Sequence, residues 1–228
     1  MYADDLILMT ASVSHLQQLI ILCERELEDI GLSLNVKKSN IIRVGKRYCS
    51  PHVNVCIGGI KINCCNELRY LGVYFKTGTS LQFNFEQSKR KFYAAVNGIL
   101  SKVGNKPDIV LSLCNSFAIP HLLYGTEAMF LNKSQSKLLD NPLKRLFVKV
   151  FKTVNNSTIA YCQYYTSVLP VSCLIVLRSY NFCIKCQQQS CDLLKLLCSL
   201  PNVACIVNQE CSKRSLMSSF VAQNNLIV

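Results

Sequence analysis

The stretch Tyr2-Ala3-Asp4-Asp5-Leu6-Ile7-Leu8-Met9 sets two carboxylates side by side at the head of an apolar run. Adjacent carboxylates repel unless a cation neutralises them, and their hard oxygens suit Mg²⁺. In two-metal phosphoryl transfer such carboxylates hold ions that stabilise the attacking and leaving oxygens. A tight turn between strands would present the pair at the end of a sheet. Alone, Asp-Asp reads as a solvated turn, so the surrounding segments decide. Leu6 to Met9 is expected to form a buried strand.

Outward from this turn, Ser14 is expected to open a helix with Gln17 as capping-box partner. Leu16, Leu19, Ile20, Cys23, Leu27 and Ile30 recur at steps of three and four, giving one apolar face, and Gly31 stops it. Residues 32–44 read as a loop and a strand, with Lys37 and Lys38 between. Val53, Val55 and Ile57 alternate, Gly58-Gly59 follow, and Ile60 and Ile62 alternate again, which signals a tight hairpin. Leu68 to Phe75 is a further strand candidate.

The period then changes. Residues 84–103 read as a helix ended by Gly104, and 108–130 as an apolar helix kinked at Pro120, which lacks the backbone donor. A third helix spans 134–151, its regular part expected to start at Pro142, and 172–200 also reads as helical. The fold class is therefore α+β. Three segments are expected: 1–80 mixed α/β, 81–153 helical, and 154–228 a helical Cys-rich extension.

The chain has 228 residues, half of them hydrophobic, which excludes a disordered protein. Its formal net charge is +12, from 25 basic and 13 acidic side chains, and this concerns partners rather than fold. Residues 81–153 alone carry 11 basic and 4 acidic side chains, making them the expected polyanion-facing surface. The apolar run Val171 to Leu177 is too short to span a bilayer. Met1-Tyr2-Ala3-Asp4-Asp5 contains no basic residue, so no secretory leader is expected. No membrane partner is expected, and the chain reads as intracellular, nuclear or cytoplasmic, with its 14 cysteines reduced.

The order of the motifs resembles a family. Tyr2-x-Asp4-Asp5, an apolar strand and an amphipathic helix come first. Gly31-Leu32-Ser33-Leu34-Asn35-Val36-Lys37-Lys38-Ser39 and then Leu68-Arg69-Tyr70-Leu71-Gly72 follow. This order is similar to that of reverse transcriptases, most of all those of non-LTR (LINE-type) retrotransposons. Tyr124-Gly125-Thr126-Glu127 resembles a downstream stretch of the same proteins, although Met129 stands where that family often has tryptophan.

The resemblance implies the C-terminal part of a polymerase palm, with β-hairpins and one packed helix, followed by a helical thumb-like region. It implies RNA-directed DNA polymerisation, with an RNA template, a DNA primer, deoxynucleotides and Mg²⁺. Asp4 looks like the metal-binding carboxylate and Asp5 like its neighbour. Tyr2 would lie near the primer end. Lys38, with Lys37 as runner-up, looks like the lysine that protonates the pyrophosphate leaving group, a role suited to a general acid. Leu71-Gly72 resembles the primer-grip turn. In the thumb-like part, Lys89, Arg90 and Lys91, and Arg145, Lys149 and Lys152 on one helical face, are candidates for phosphate contact.

A polymerase of this family needs a further aspartate and fingers ahead of the Tyr-x-Asp-Asp turn. The 228 residues are therefore expected not to polymerise by themselves. The alternatives are a catalytically dead remnant that binds nucleic acid, and a helical interaction module. Cys183-x-x-Cys186 with Cys191, Cys198, Cys205 and Cys211 invites zinc, but one close pair and no following histidine argue for packed thiols instead.

Overall fold

Glycine and helix-face chemistry organise the first part of the chain. The computed structural model describes residues 4–49, 54–104, 106–129 and 131–189, with residues 191 and 194. They fall into two compact units, Met1–Asn84 and Phe85–Val228.

In the first unit, helix α1 (Val13–Glu28) begins two residues earlier than its sequence suggests. The Ser12 hydroxyl caps it by accepting the His15 amide at 3.2 Å. Gln17 is therefore not a capping partner, and its side chain takes a tertiary role. Strands β1 (Asn40–Ile41) and β4 (Asn63–Cys64) pair in parallel, while β2 (Cys56–Ile57) and β3 (Ile60–Lys61) form the expected hairpin. Gly58 and Gly59 have φ of +53° and +76°, a backbone that side chains resist. Ile20, Val55, Ile57 and Ile62 make the small core, ringed by Leu8, Leu16, Val36 and others.

Two further expectations fail in this unit. Residues 6–10 form no strand: Met9 is 80% exposed, Leu6 and Ile7 are also exposed, and Leu8 alone of the run packs on the core. No ladder among the described residues pairs with residues 6–10. The stretch Leu68–Phe75 is not one strand but a hairpin, β5 (Glu67–Tyr70) and β6 (Val73–Lys76), extended by β7 (Gln82–Asn84). Leu71 and Gly72 turn the chain, both with positive φ.

The second unit is helical. Helices α2 (Glu86–Val103), α3 (Pro107–Leu113), α4 (Ile119–Leu123), α5 (Lys133–Phe151), α6 (Asn156–Tyr165) and α7 (Val171–Gln188) pack around Phe92, Leu122, Leu139, Leu143 and Phe147. A π-turn, Cys114–Ala118, separates α3 from α4. It lies one turn before Pro120, whose ring would clash with the carbonyl four residues back in a regular helix. The irregularity thus precedes the proline rather than sitting on it. By length and composition alone Pro107–Ala128 could cross a membrane, but Val110, Leu111, Cys114, Ala118, Leu122 and Leu123 are buried within this unit.

Helix α5 matches the expected 134–151 to within one residue, but its regular part runs unbroken through Pro142 instead of starting there. A reciprocal capping box between Asn132 and Gln135 starts it a full two turns earlier. The sequence pattern does not announce α6 as a separate helix. Asn155 caps it by accepting the Ser157 amide at 2.9 Å. Helix α7 packs against α5 and against a short 3₁₀ turn, Thr126–Ala128. Most of the Cys-rich segment after residue 189 lies outside the described residues.

Candidate functional site

Asp4 and Asp5 open the described part of the first unit, both exposed, with Asp4 in a turn. Tyr2 and Ala3 lie outside the described residues. Neither carboxylate makes an ion pair or hydrogen bond with Lys38 among the described residues. Nor, among the described residues, do three or more His, Cys, Asp or Glu side chains gather to hold a metal ion. Two exposed carboxylates suffice at most for one hydrated divalent cation. They do not by themselves fit a two-metal centre.

Lys38 sits on an exposed turn whose shape Asn35 sets. The Asn35 side chain and carbonyl both accept the Lys38 amide at 3.2 Å, and the Ser39 hydroxyl donates to the same carbonyl at 2.8 Å. Such Asx geometry fixes the backbone while leaving the ammonium in solvent. Lys37 is exposed on the same turn.

Leu71 and Gly72 occupy the tip of the β5–β6 hairpin, with φ of +47° and +82°. This double left-handed turn matches the strand twist but normally carries Asn-Gly. A leucine there is held in a conformation that costs about 1 kcal/mol or more. The Arg69 guanidinium lies 5.9 Å from the Tyr74 ring centroid on the paired strands beside it.

In the second unit the basic candidates separate. Lys89 is paired with Glu86 one turn earlier and largely covered, whereas Arg90 and Lys91 are exposed. On α5 the buried side is Leu139, Leu143, Leu146, Phe147 and Val150. The opposite side exposes Lys137, Lys144 and Arg145, and Lys152, the left-handed C-cap just past the helix end, is exposed as well. Lys149 lies toward its edge, where its ammonium donates to Asn97 Oδ1 of α2 at 3.1 Å. Sequence reasoning groups Arg145, Lys149 and Lys152 but misses Lys137 and Lys144. The apolar period of α5 is the signal that finds them, since both fall opposite it.

The Tyr124–Glu127 stretch is a structural joint. Gly125 has φ of +73°, the fully buried Thr126 hydroxyl donates to the Leu123 carbonyl at 2.8 Å, and Arg178 of α7 donates to that same carbonyl at 3.1 Å. The Arg178 guanidinium also lies 3.8 Å from a Glu127 carboxylate oxygen. Met129 is buried.

Cys183 and Cys186 sit one turn apart on α7, half-buried, and Cys191 is exposed, while Cys198, Cys205 and Cys211 lie outside the described residues. Burial pushes the Cys114 thiol up to about 11, and burial, with the Asp140 carboxylate nearby, also raises Cys173.

No protein-family model and no solved structure matches the chain. It is similar to an uncharacterized transposon-derived protein of Caenorhabditis elegans, 29% identical over 147 residues, covering 60% of this chain and 50% of that protein. The chain thus spans about half the length of the curated relative it matches, and the likeness points to a transposon origin.

Proposed function

We propose that this chain belongs to an RNA-directed DNA polymerase of the non-LTR retrotransposon type and contributes the end of its palm and a thumb-like helical unit. The observation that carries this reading is the order of three motif elements along one unit: the exposed Asp4-Asp5 pair, the Asn35-held Lys38 turn, and the strained Leu71-Gly72 hairpin tip. The transposon-derived relative is consistent with it.

In a complete site, Asp4 and Asp5 would hold Mg²⁺, which supplies charge neutralisation at the nucleotide phosphates. Lys38, solvated and hung on a fixed turn, can present a proton to a departing pyrophosphate. The Leu71-Gly72 tip brings bare backbone close to a primer strand because glycine adds no side chain. Lys137, Lys144, Arg145 and Lys152 offer a line of cations for the phosphates of a template-primer duplex.

A second reading, a module that binds nucleic acid without turnover, is favoured by the exposed carboxylate pair, which has no third carboxylate beside it among the described residues. One pair of assays tests both. Fluorescence anisotropy with a blunt RNA–DNA hybrid should show binding that weakens steeply with salt. Primer extension on an RNA template, with and without Mg²⁺, then separates the polymerase from the binding module. Absence of hybrid binding at low salt would overturn both readings.

A further inference from the structure

Helix α6 is unusual in what it shows to solvent. Of its ten residues only Ile159 is buried. Tyr161 and Tyr165 are 65% and 80% exposed, and Tyr164 meets Tyr165 edge-on with ring centroids 5.3 Å apart. Tyr161 and Tyr165 are four residues apart, hence on one face and about 6 Å apart along the axis. Large rings left in water on a helix that contributes so little to the core need another explanation than packing.

The charge around them narrows the partner. Residues 131–189 contain eight Lys and Arg and one acid, Asp140. That carboxylate is engaged, accepting the Ser172 amide at 2.9 Å. Helix α6 itself carries no charged side chain. Its N-terminus follows the end of α5 after four residues, and that link begins at the exposed Lys152, held at φ of +52°. The cation stripe of α5 thus runs to the foot of the tyrosine helix with no exposed acid to repel phosphate among the described residues from 131 to 189.

We infer that α6 is a stacking platform for unpaired bases, with Tyr161 and Tyr165 each taking a base of a single strand whose backbone follows the α5 cations. Aromatic faces accept any base, so the contact is tolerant of sequence. The inference rests on the nucleic-acid reading above and deepens it. It assigns α5 to phosphates and α6 to a single-stranded tail leaving the duplex.

The test compares three probes on the full chain: a blunt RNA–DNA hybrid, the same hybrid with an unpaired tail of about ten nucleotides, and the tail strand alone. The tail should tighten binding about tenfold or more. The double variant Tyr161→Ala, Tyr165→Ala should lose that gain while leaving blunt-hybrid affinity unchanged. Tyr161→Phe with Tyr165→Phe should keep the gain, and the matching leucine pair, apolar but unable to stack, should lose it. Because the chain has no tryptophan, tyrosine emission can be followed, and tailed probes should quench it more in the native chain than in the double alanine variant. A tail that adds nothing would overturn the inference and leave the duplex reading standing; no binding of any probe would overturn both. Self-association that survives in the leucine pair and disappears in the alanine pair, with no tail effect, would reassign the tyrosines to a protein contact and overturn the inference.

Discussion

The side-chain amide of Gln17 satisfies both backbone groups of Cys56, thirty-nine residues away: its nitrogen donates to the Cys56 carbonyl at 2.9 Å, and the Cys56 amide donates to its oxygen at 2.8 Å. The pair of bonds imitates one rung of a β-ladder and docks helix α1 on the edge of β2. Two turns on, Glu24 accepts the Gly58 amide at 2.6 Å, so one helix face holds the hairpin at two points with Ile20 in the core between them. Gln17→Ala removes two partly buried hydrogen bonds and should cost about 1–3 kcal/mol. Gln17→Glu should keep one bond and set a carboxylate against a carbonyl, with partial recovery at acidic pH. Amide exchange of residues 56–62 measures both, and unchanged protection in the alanine variant would sink the account.

Leu71 should be replaceable with profit to stability and harm to function. Its φ of +47° suits asparagine or glycine in a double left-handed turn. Leu71→Asn should therefore stabilise the β5–β6 hairpin by about 0.5–1 kcal/mol. If the tip grips a primer, the same variant should weaken hybrid binding. A thermal melt and an anisotropy titration on one preparation give both numbers, and a destabilised variant would show that the leucine side chain, not the backbone, governs the turn.

Gln17 and Leu71 also show what sequence can and cannot reveal. The Gly58-Gly59 hairpin is legible because two glycines between alternating runs admit few other conformations. The Leu68–Phe75 hairpin is not legible from its period, because a leucine at the first turn position conceals the left-handed backbone; only the likeness of Leu71-Gly72 to a primer-grip turn marks it. Gln17 reads as a local cap because its spacing from Ser14 fits one; its real partner is set by tertiary packing, which spacing does not encode. Helix α6 escapes because its tyrosines face water and leave no apolar period. The carboxylate pair and Lys38 are legible as motif residues, whereas Lys89 is held by Glu86, an ion pair one turn away that competes with phosphate.

The cation stripe of α5 makes a graded prediction. Lys144→Ala, Arg145→Ala and Lys152→Ala should each lower the dependence of log affinity on log salt by about 0.7–0.9 for every phosphate no longer neutralised. Lys89→Ala should change it little, since its ammonium is occupied. Lys152→Gly should do two things at once, removing a cation and relieving the left-handed strain at φ of +52°, so affinity should fall while the melting temperature rises. Equal slopes for all variants would show that duplex phosphates lie elsewhere.

Cys114 offers a test of the helical unit that does not involve nucleic acid. It is fully buried on the π-turn, and burial raises its thiol from the usual 9 to about 11. A thiol raised on folding favours the folded state while it stays neutral. Its contribution is complete below pH 9 and is lost as pH rises toward 11, because the unfolded chain ionises first. Thiolate is the reactive form, so at about pH 8 the exposed Cys49 and Cys64 should alkylate quickly and Cys114 only on unfolding. Mass spectrometry of peptides after a timed iodoacetamide pulse reads each site. Cys114→Ser should reduce the loss of stability between pH 9 and 11, leaving the part that the raised Cys173 thiol contributes, while lowering stability at neutral pH, since a hydroxyl replaces a thiol in an apolar setting. Rapid labelling of Cys114 in the folded chain would mean that the π-turn opens far more readily than its packing against α2 and α4 implies.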